Sequence, residues 1–270
     1  MNRLPNPTMG RRALIRNGAL TVSLGAIAAA CGSNRGGSDA PGRLGVADSA
    51  EGLFEEEIDD ITLLRTAQSL EYTAIDVYAA AAGTGALSSG ETALAGRFVE
   101  DHQRHADDLA ALVVRLGGES YTCANPFLVD RAVNPILGAL DGSDDLHRDL
   151  LNIAYAFETL AGASYQALVA LLANKPLRAA AMSIGGEENR HAAALAAALN
   201  PGGYFSPTLT GGQDGADENG IPLRYSIPSV FGRVSGIDLT VGAVNLEGSR
   251  YSTQLQTPAA NSLIYSNQSC

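Results

Sequence analysis

Glutamate and histidine side chains recur at helical spacings in the middle of the chain. Glu188 and His191 lie three residues apart, and His102 and His105 share that spacing. Residues three apart on a helix share a face, with Cβ atoms about 5–6 Å from each other, so each pair could point at one small volume. Imidazole and carboxylate groups together bind metals such as iron and manganese. With two single glutamates added, the candidate metal ligands are Glu71, His102, His105, Glu158, Glu188 and His191.

The same residues belong to an internal repeat. A Glu-x-x-Ala-x-x-x-Tyr pattern begins at Glu71 and returns 87 residues later at Glu158. A paired motif that ends in His-x-x-x-Leu begins at His102 and returns 86 residues later at Glu188. The nearly constant offset predicts two helix pairs related by a pseudo-two-fold axis.

Apolar periodicity predicts four amphipathic helices that carry these residues, at roughly 57–82, 90–116, 146–173 and 176–199. Short turns join the first helix to the second and the third to the fourth. A long segment with Pro126, Pro135 and other turn residues separates the two hairpins. The six candidate ligands fall on the apolar stripes, so we expect them to face the core. The predicted fold is all-α, a ferritin-like four-helix bundle of two helical hairpins joined by a long crossover.

Over residues 58–199 the chain resembles the ferritin-like di-metal carboxylate family, and in particular its exported, desiccation-related branch. That family takes one Glu from each of two helices and a Glu-x-x-His pair from each of the other two. The resemblance implies a di-iron or di-manganese centre that reacts with oxygen or peroxide, or that oxidises ferrous iron. The resemblance implies that Glu71 and Glu158 are the single ligands. It also implies two paired ligand motifs, His102 with His105 and Glu188 with His191.

One ligand departs from the family pattern, which would place Glu where His102 stands. Two divalent ions carry four positive charges and three glutamates cancel three, so a full site would keep a net charge of +1 and lack one bridging carboxylate. Asp101 could swing in as a substitute; otherwise the site holds one ion, or holds two ions weakly. The alternative is a hydrogen-bonded polar core in a bundle that has lost its metal.

Two tyrosines accompany the single glutamates. Tyr78 and Tyr165 follow them by seven residues, about two helical turns. They could donate hydrogen bonds to the ligands or relay electrons. A tyrosine on such a stripe is more often a core residue with a satisfied hydroxyl, and we favour that interpretation.

Residues 1–31 are predicted to be an export signal rather than part of the fold. Arg11 and Arg12 precede an apolar stretch at 19–30 that is too short to span a bilayer, which resembles a twin-arginine signal. Cys31 follows three alanines, as in a lipobox, so we expect a lipid anchor on Cys31 that holds the protein to a membrane of the cell envelope. Cleavage after an Ala-x-Ala signal, leaving a free soluble protein, is the alternative. Residues 32–55 are predicted to be a flexible tether.

The C-terminal residues 201–270 lose the helical period and are rich in Gly, Pro, Ser and Thr. We expect a mostly extended arm with little regular structure and a short strand over 237–246. In an oxidising compartment Cys123 and Cys270 are expected to form a disulfide that pins the arm to the bundle. Two unrelated thiols are the alternative.

The bundle, residues 56–200, is predicted to be the working domain. The chain carries a net charge of −11 with a pI near 4.7, and no basic stripe marks a nucleic-acid partner. The first functional hypothesis is an exported redox protein with iron or manganese as cofactor. The second is a non-catalytic envelope scaffold or stress-protection lipoprotein with a degenerate metal site, and the third is metal capture without turnover. A storage shell is not expected, because the anchor and the arm would obstruct cage packing.

Overall fold

Four long helices form the body of the molecule. The structure, a computed structural model, describes residues 58–199 and 236–270. The crossover between the second and third long helices holds three short helical segments: Pro126–Leu128, Val129–Val133 and Asn134–Gly138. The predicted bundle of two helical hairpins is confirmed. Its long helices are α1 (Asp60–Gly83), α2 (Ser89–Arg115), α3 (Leu146–Val169) and α4 (Lys175–Leu199).

Local polar contacts set the boundaries of these helices. The Asp59 carboxylate accepts a hydrogen bond from a backbone amide of the first turn of α1 at 2.8 Å, and Asp145 does the same for α3 at 3.0 Å. Ser88 and Glu91 form a reciprocal capping box at the start of α2. Gly117, with a φ of +84°, follows the end of α2. Because these signals are local, the observed helices lie within a few residues of the predicted ones.

The crossover is more regular than the sequence suggested. Pro126 and Pro135 lie in the first turns of short helical segments instead of in plain turns. A first helical turn tolerates proline because its backbone amides have no partner within the helix. The Asn125 side chain caps the first segment by accepting hydrogen bonds from two backbone amides at 3.1 Å.

The arm contains a small antiparallel hairpin, β1 (Gly236–Val241) and β2 (Tyr251–Gln256), with Ile237 opposite Leu255. The strand predicted over 237–246 therefore ends early, and β2 was not predicted. Apolar side chains of both strands pack against α3 and the crossover. The arm otherwise has little regular structure within the described residues, as expected.

The last residues of the arm cover the outer face of α1. Thr66 on α1 accepts a hydrogen bond from the Ile264 amide at 2.9 Å, and the Arg65 guanidinium donates to a carbonyl of the tail. A disulfide joins Cys123 to Cys270, as predicted, with a Cα separation of 5.8 Å. The α1 helix is therefore buried on two sides, by the bundle and by the arm.

Several predictions about the ends of the chain fall on residues that the structure does not describe. The residues outside the described ranges include Arg11, Arg12, Cys31, the tether at 32–55 and the start of the arm at 201–235. Within 58–199 and 236–270, no helix combines the length and the apolar character that crossing a membrane would need.

Gly185 and Gly186 on α4 give a matched test of the packing between α3 and α4. A Cβ at Gly185 would lie 2.7 Å from Cβ of Tyr165, whereas a Cβ at Gly186 would meet nothing within 4 Å. We expect Gly186→Ala to raise the unfolding midpoint, because alanine favours a helix over glycine by about 0.5–1 kcal/mol. Gly185→Ala should lower the unfolding midpoint, because overpacking destabilises a folded protein by about 1–3 kcal/mol. Thermal unfolding followed by circular dichroism measures both, and a raised midpoint for Gly185→Ala would contradict this packing.

Candidate metal centre

Six buried polar side chains from four helices meet at the centre of the bundle. The α1 and α3 helices each supply one glutamate, α2 supplies two histidines, and α4 supplies a glutamate and a histidine. The most exposed of them has 6% of its surface accessible. The structure thus brings together all of the predicted ligands: Glu71, His102, His105, Glu158, Glu188 and His191.

Their ligand atoms form two overlapping groups of four. Within each group the atoms lie no more than 4.8 Å from one another, so each group could hold a metal ion. Both groups contain His102 and Glu188. The first is completed by Glu71 and His105, and the second by Glu158 and His191.

His102 lies between the two groups. Its Nδ1 lies 2.8 Å from Oε2 of Glu71, and its Nε2 lies 3.1 Å from Oε1 of Glu158. These contacts join α2 to both α1 and α3 through one ring. The residue that departs from the family pattern therefore stays inside the cluster.

Glu188 is the other residue that belongs to both groups. Its Oε1 lies 2.7 Å from Nδ1 of His105, and its Oε2 lies 3.2 Å from Nδ1 of His191. These four atoms are buried, and within the described part of the chain none has a partner in hydrogen-bond alignment. Unsatisfied buried polar atoms destabilise a fold. A metal ion would satisfy both the nitrogens and the carboxylate oxygens, so the residues present fit a bound metal.

Two tyrosine hydroxyls orient the single glutamates across the bundle. Tyr78 on α1 donates to Oε1 of Glu158 at 2.5 Å, and Tyr165 on α3 donates to Oε1 of Glu71. Burial, and then the adjacent carboxylate, raises the pKa of each tyrosine well above its ordinary value. Both hydroxyls therefore keep their protons at neutral pH. Both tyrosines are core residues with satisfied hydroxyls, as we favoured from the sequence, and the groups that accept from them are candidate ligands.

Two histidines of the cluster also contact carboxylates outside it. In each, Nδ1 is the inner nitrogen, which faces Glu188, and Nε2 is the outer nitrogen, which contacts the outside carboxylate. Nε2 of His105 lies 3.0 Å from Glu187, and Nε2 of His191 lies 3.4 Å from Asp101. Arg104 joins the two carboxylates, with its Nη2 2.6 Å from Asp101 and 2.7 Å from Glu187. A carboxylate at the outer nitrogen fixes the tautomer of a ligating histidine and leaves the inner nitrogen free for metal.

Asp101 is thus not placed to substitute for the missing glutamate ligand, because it faces the outer side of a histidine and pairs with Arg104. Sequence reasoning missed Arg104 and Glu187. Glu187 precedes Glu188 as Asp101 precedes His102, so the 86-residue offset was a signal that could have revealed it. The same offset relates Arg104 to Arg190. It does not reveal the contact of Arg104 with Glu187, which depends on how α2 and α4 approach each other.

The three histidines favour their protonated forms in this environment. Burial opposes the charged ring, but the neighbouring carboxylates outweigh burial. They raise the pKa of His105 to about 10 and that of His191 to about 9. They also raise the pKa of His102 well above its ordinary value. A metal ion must displace these protons, so metal affinity should increase with pH.

The pKa values of the three buried glutamates shift in different directions. Burial opposes ionisation of Glu71 and Glu158, yet the adjacent histidines lower the pKa of both. Burial, and then the negative charge of Glu71, raises the pKa of Glu188. Glu188 is therefore the carboxylate that a positive metal charge would stabilise most.

Glu187→Gln tests whether the outer carboxylates serve the metal. Without the Glu187 carboxylate, the tautomer of His105 that leaves Nδ1 free for metal is no longer fixed. The affinity for Mn²⁺ should therefore fall by about 10–100-fold. Isothermal titration of the full chain with Mn²⁺ at one pH measures the change. Glu100→Gln is the matched control: Glu100 is 73% exposed and lies 3.4 Å from Arg97. Equal affinities in the two variants would contradict a supporting role for Glu187.

Comparison with known proteins agrees with this geometry. A family model described as "Ferritin-like domain" matches residues 59–201, more than half of the chain, and that range contains all six candidate ligands. A search of curated proteins and a search of solved structures each found no match. The family match does not test the exported, desiccation-related branch, which stays a prediction. The chain belongs to the ferritin-like domain family.

Proposed function

We propose that the protein is an exported, membrane-anchored ferritin-like protein whose buried cluster binds iron or manganese and performs redox chemistry on oxygen, peroxide or ferrous iron. The observation that carries the proposal is the set of buried ligand atoms on Glu188, His105 and His191. These atoms face one another at 2.7–3.2 Å without hydrogen-bond alignment. Such an arrangement is costly in a polar core and favourable around a metal ion.

The surrounding residues suit a redox centre. Bound iron or manganese would supply a reversible change of oxidation state. The ligands are almost inaccessible to solvent, which keeps bulk water from the centre. Tyr78 and Tyr165 hold their protons and orient the glutamates.

The nearest approach of the cluster to solvent is between α2 and α4. There the side chains of His191 and Asp101 are 8% and 11% exposed. We propose that small reactants reach the centre along this seam.

A second candidate function is a non-catalytic envelope scaffold with a degenerate metal site. His102 is the observation that favours it. The ring contacts Glu71 at 2.8 Å and Glu158 at 3.1 Å, as it would in a polar core that has no need of metal.

Metal content separates the two functions. The full-length protein, purified without chelator, should carry about two equivalents of iron or manganese by mass spectrometry. Glu188→Gln keeps the shape of the side chain but removes its charge, so it should lose both metal and thermal stability, whereas Glu100→Gln should lose neither. Oxidation of ferrous iron and consumption of peroxide are then assayed on the loaded protein. Absence of metal from the wild type, even after reconstitution with Fe²⁺ or Mn²⁺, would leave the scaffold as the function.

Cell fractionation tests the proposed location. Cys31→Ser removes the lipid attachment atom, so the protein should leave the membrane fraction and become soluble in the envelope. Replacing Arg11 and Arg12 by lysine should retain the protein in the cytoplasm. Cys123→Ser is the control, because it removes the disulfide but not the anchor, and it should stay with the membrane. A Cys31→Ser protein that remains in the membrane fraction would contradict lipid anchoring.

A further inference from the structure

We infer that His102 bridges two metal ions through its two ring nitrogens, as an imidazolate. The inference rests on the proposed metal centre and deepens it. In the family pattern a carboxylate stands at this position. A ring that binds both ions would replace that carboxylate as a bridge and not merely remove a ligand.

The ring presents one nitrogen to each group of ligands. Nδ1 lies 2.8 Å from Glu71 and 3.8 Å from Glu188, whereas Nε2 lies 3.1 Å from Glu158. Ligands bound about 2.0–2.2 Å from one ion at right angles to each other lie about 3 Å apart. Both contacts are hydrogen bonds in the metal-free protein. Their lengths also match the separations of neighbouring ligands on two different ions, so each ion would take the place of one hydrogen bond.

The packing around the ring holds it in this orientation. His102 is fully buried. Its ring centroid lies 5.7 Å from that of Tyr78 and 5.7 Å from that of His191, and it contacts His105 edge-on at 6.2 Å. Aromatic rings on several sides keep the two nitrogens directed at opposite groups.

The charges of the site also favour the bridge. Two divalent ions carry +4, and the carboxylates of Glu71, Glu158 and Glu188 carry −3. A neutral His102 would leave a net charge of +1 in a buried site, which is costly. When the second ion binds, the ring loses its remaining N–H proton to solvent, because metal binding displaces protons from ligands. The imidazolate then brings the net charge of the site to zero.

The bridge predicts an unusual separation between the ions. Ions bound about 2.0–2.1 Å from the two nitrogens of one ring lie about 6 Å apart. Pairs in ordinary two-metal sites lie about 3.5–4 Å apart.

Titration of the metal-free full chain with Cu²⁺ tests the bridge. Each Cu²⁺ ion carries one unpaired electron, and an imidazolate transmits magnetic coupling between two of them. We expect two bound ions and, on adding the second, an electron paramagnetic resonance spectrum that changes from an isolated ion to a coupled pair with a half-field line.

Two variants serve as matched controls. His102→Gln cannot bridge through a ring, so it should lose the coupling and bind the second ion more weakly, by about tenfold or more. His102→Glu restores the carboxylate of the family pattern and should bind a closer pair. Circular dichroism verifies that both variants keep the helical fold.

The remaining outcomes separate the two proposals. A coupled pair that persists in His102→Gln, or two uncoupled ions in the wild type, would overturn the bridge but keep the metal centre. One bound ion in the wild type together with two in His102→Glu would also overturn the bridge and keep the metal centre. Absence of bound metal in both the wild type and His102→Glu would overturn the metal centre itself.

Discussion

Burial of three carboxylates and three imidazoles in the helical interior is the constraint on which the rest of the structure depends. An uncompensated ionised group there is strongly destabilising, so each must face an opposite charge, a hydrogen-bond donor or a metal. The tyrosine hydroxyls, the outer carboxylates and the Arg104 contact all meet this requirement. The cluster thus dictates which residues the four helices present to one another.

Because the two hairpins are related by a pseudo-two-fold repeat, each supplies partners for the buried groups of the other. Each hairpin completes the ligands of the other: Tyr78 bonds Glu158 while Tyr165 bonds Glu71. The outer carboxylates cross between α2 and α4 in the same manner. Neither hairpin satisfies all of its buried groups alone, so the centre is complete only when the two hairpins are packed together. His102 breaks the symmetry, since it occupies the position that corresponds to Glu188.

Sequence reasoning located what is periodic and local, and it missed what depends on how distant surfaces meet. The ligands were predictable because spacing places them on apolar stripes. The contact between Glu187 and His105 was not, because the repeat offset matches Glu187 to Asp101 but does not say which histidine a partly exposed carboxylate faces. Strand β2 was missed because Ser252, Gln254 and Gln256 dilute its apolar character. Pro126 and Pro135 indicated turns, although proline also suits a first helical turn.

Anomalous diffraction from crystals of the manganese- or iron-loaded protein tests the central claim most directly. The account predicts two anomalous peaks inside the bundle, one beside Glu71 and His105 and the other beside Glu158 and His191, with Glu188 next to both. Loaded crystals without any anomalous peak among these side chains would contradict it, and would show that the buried cluster is a polar core.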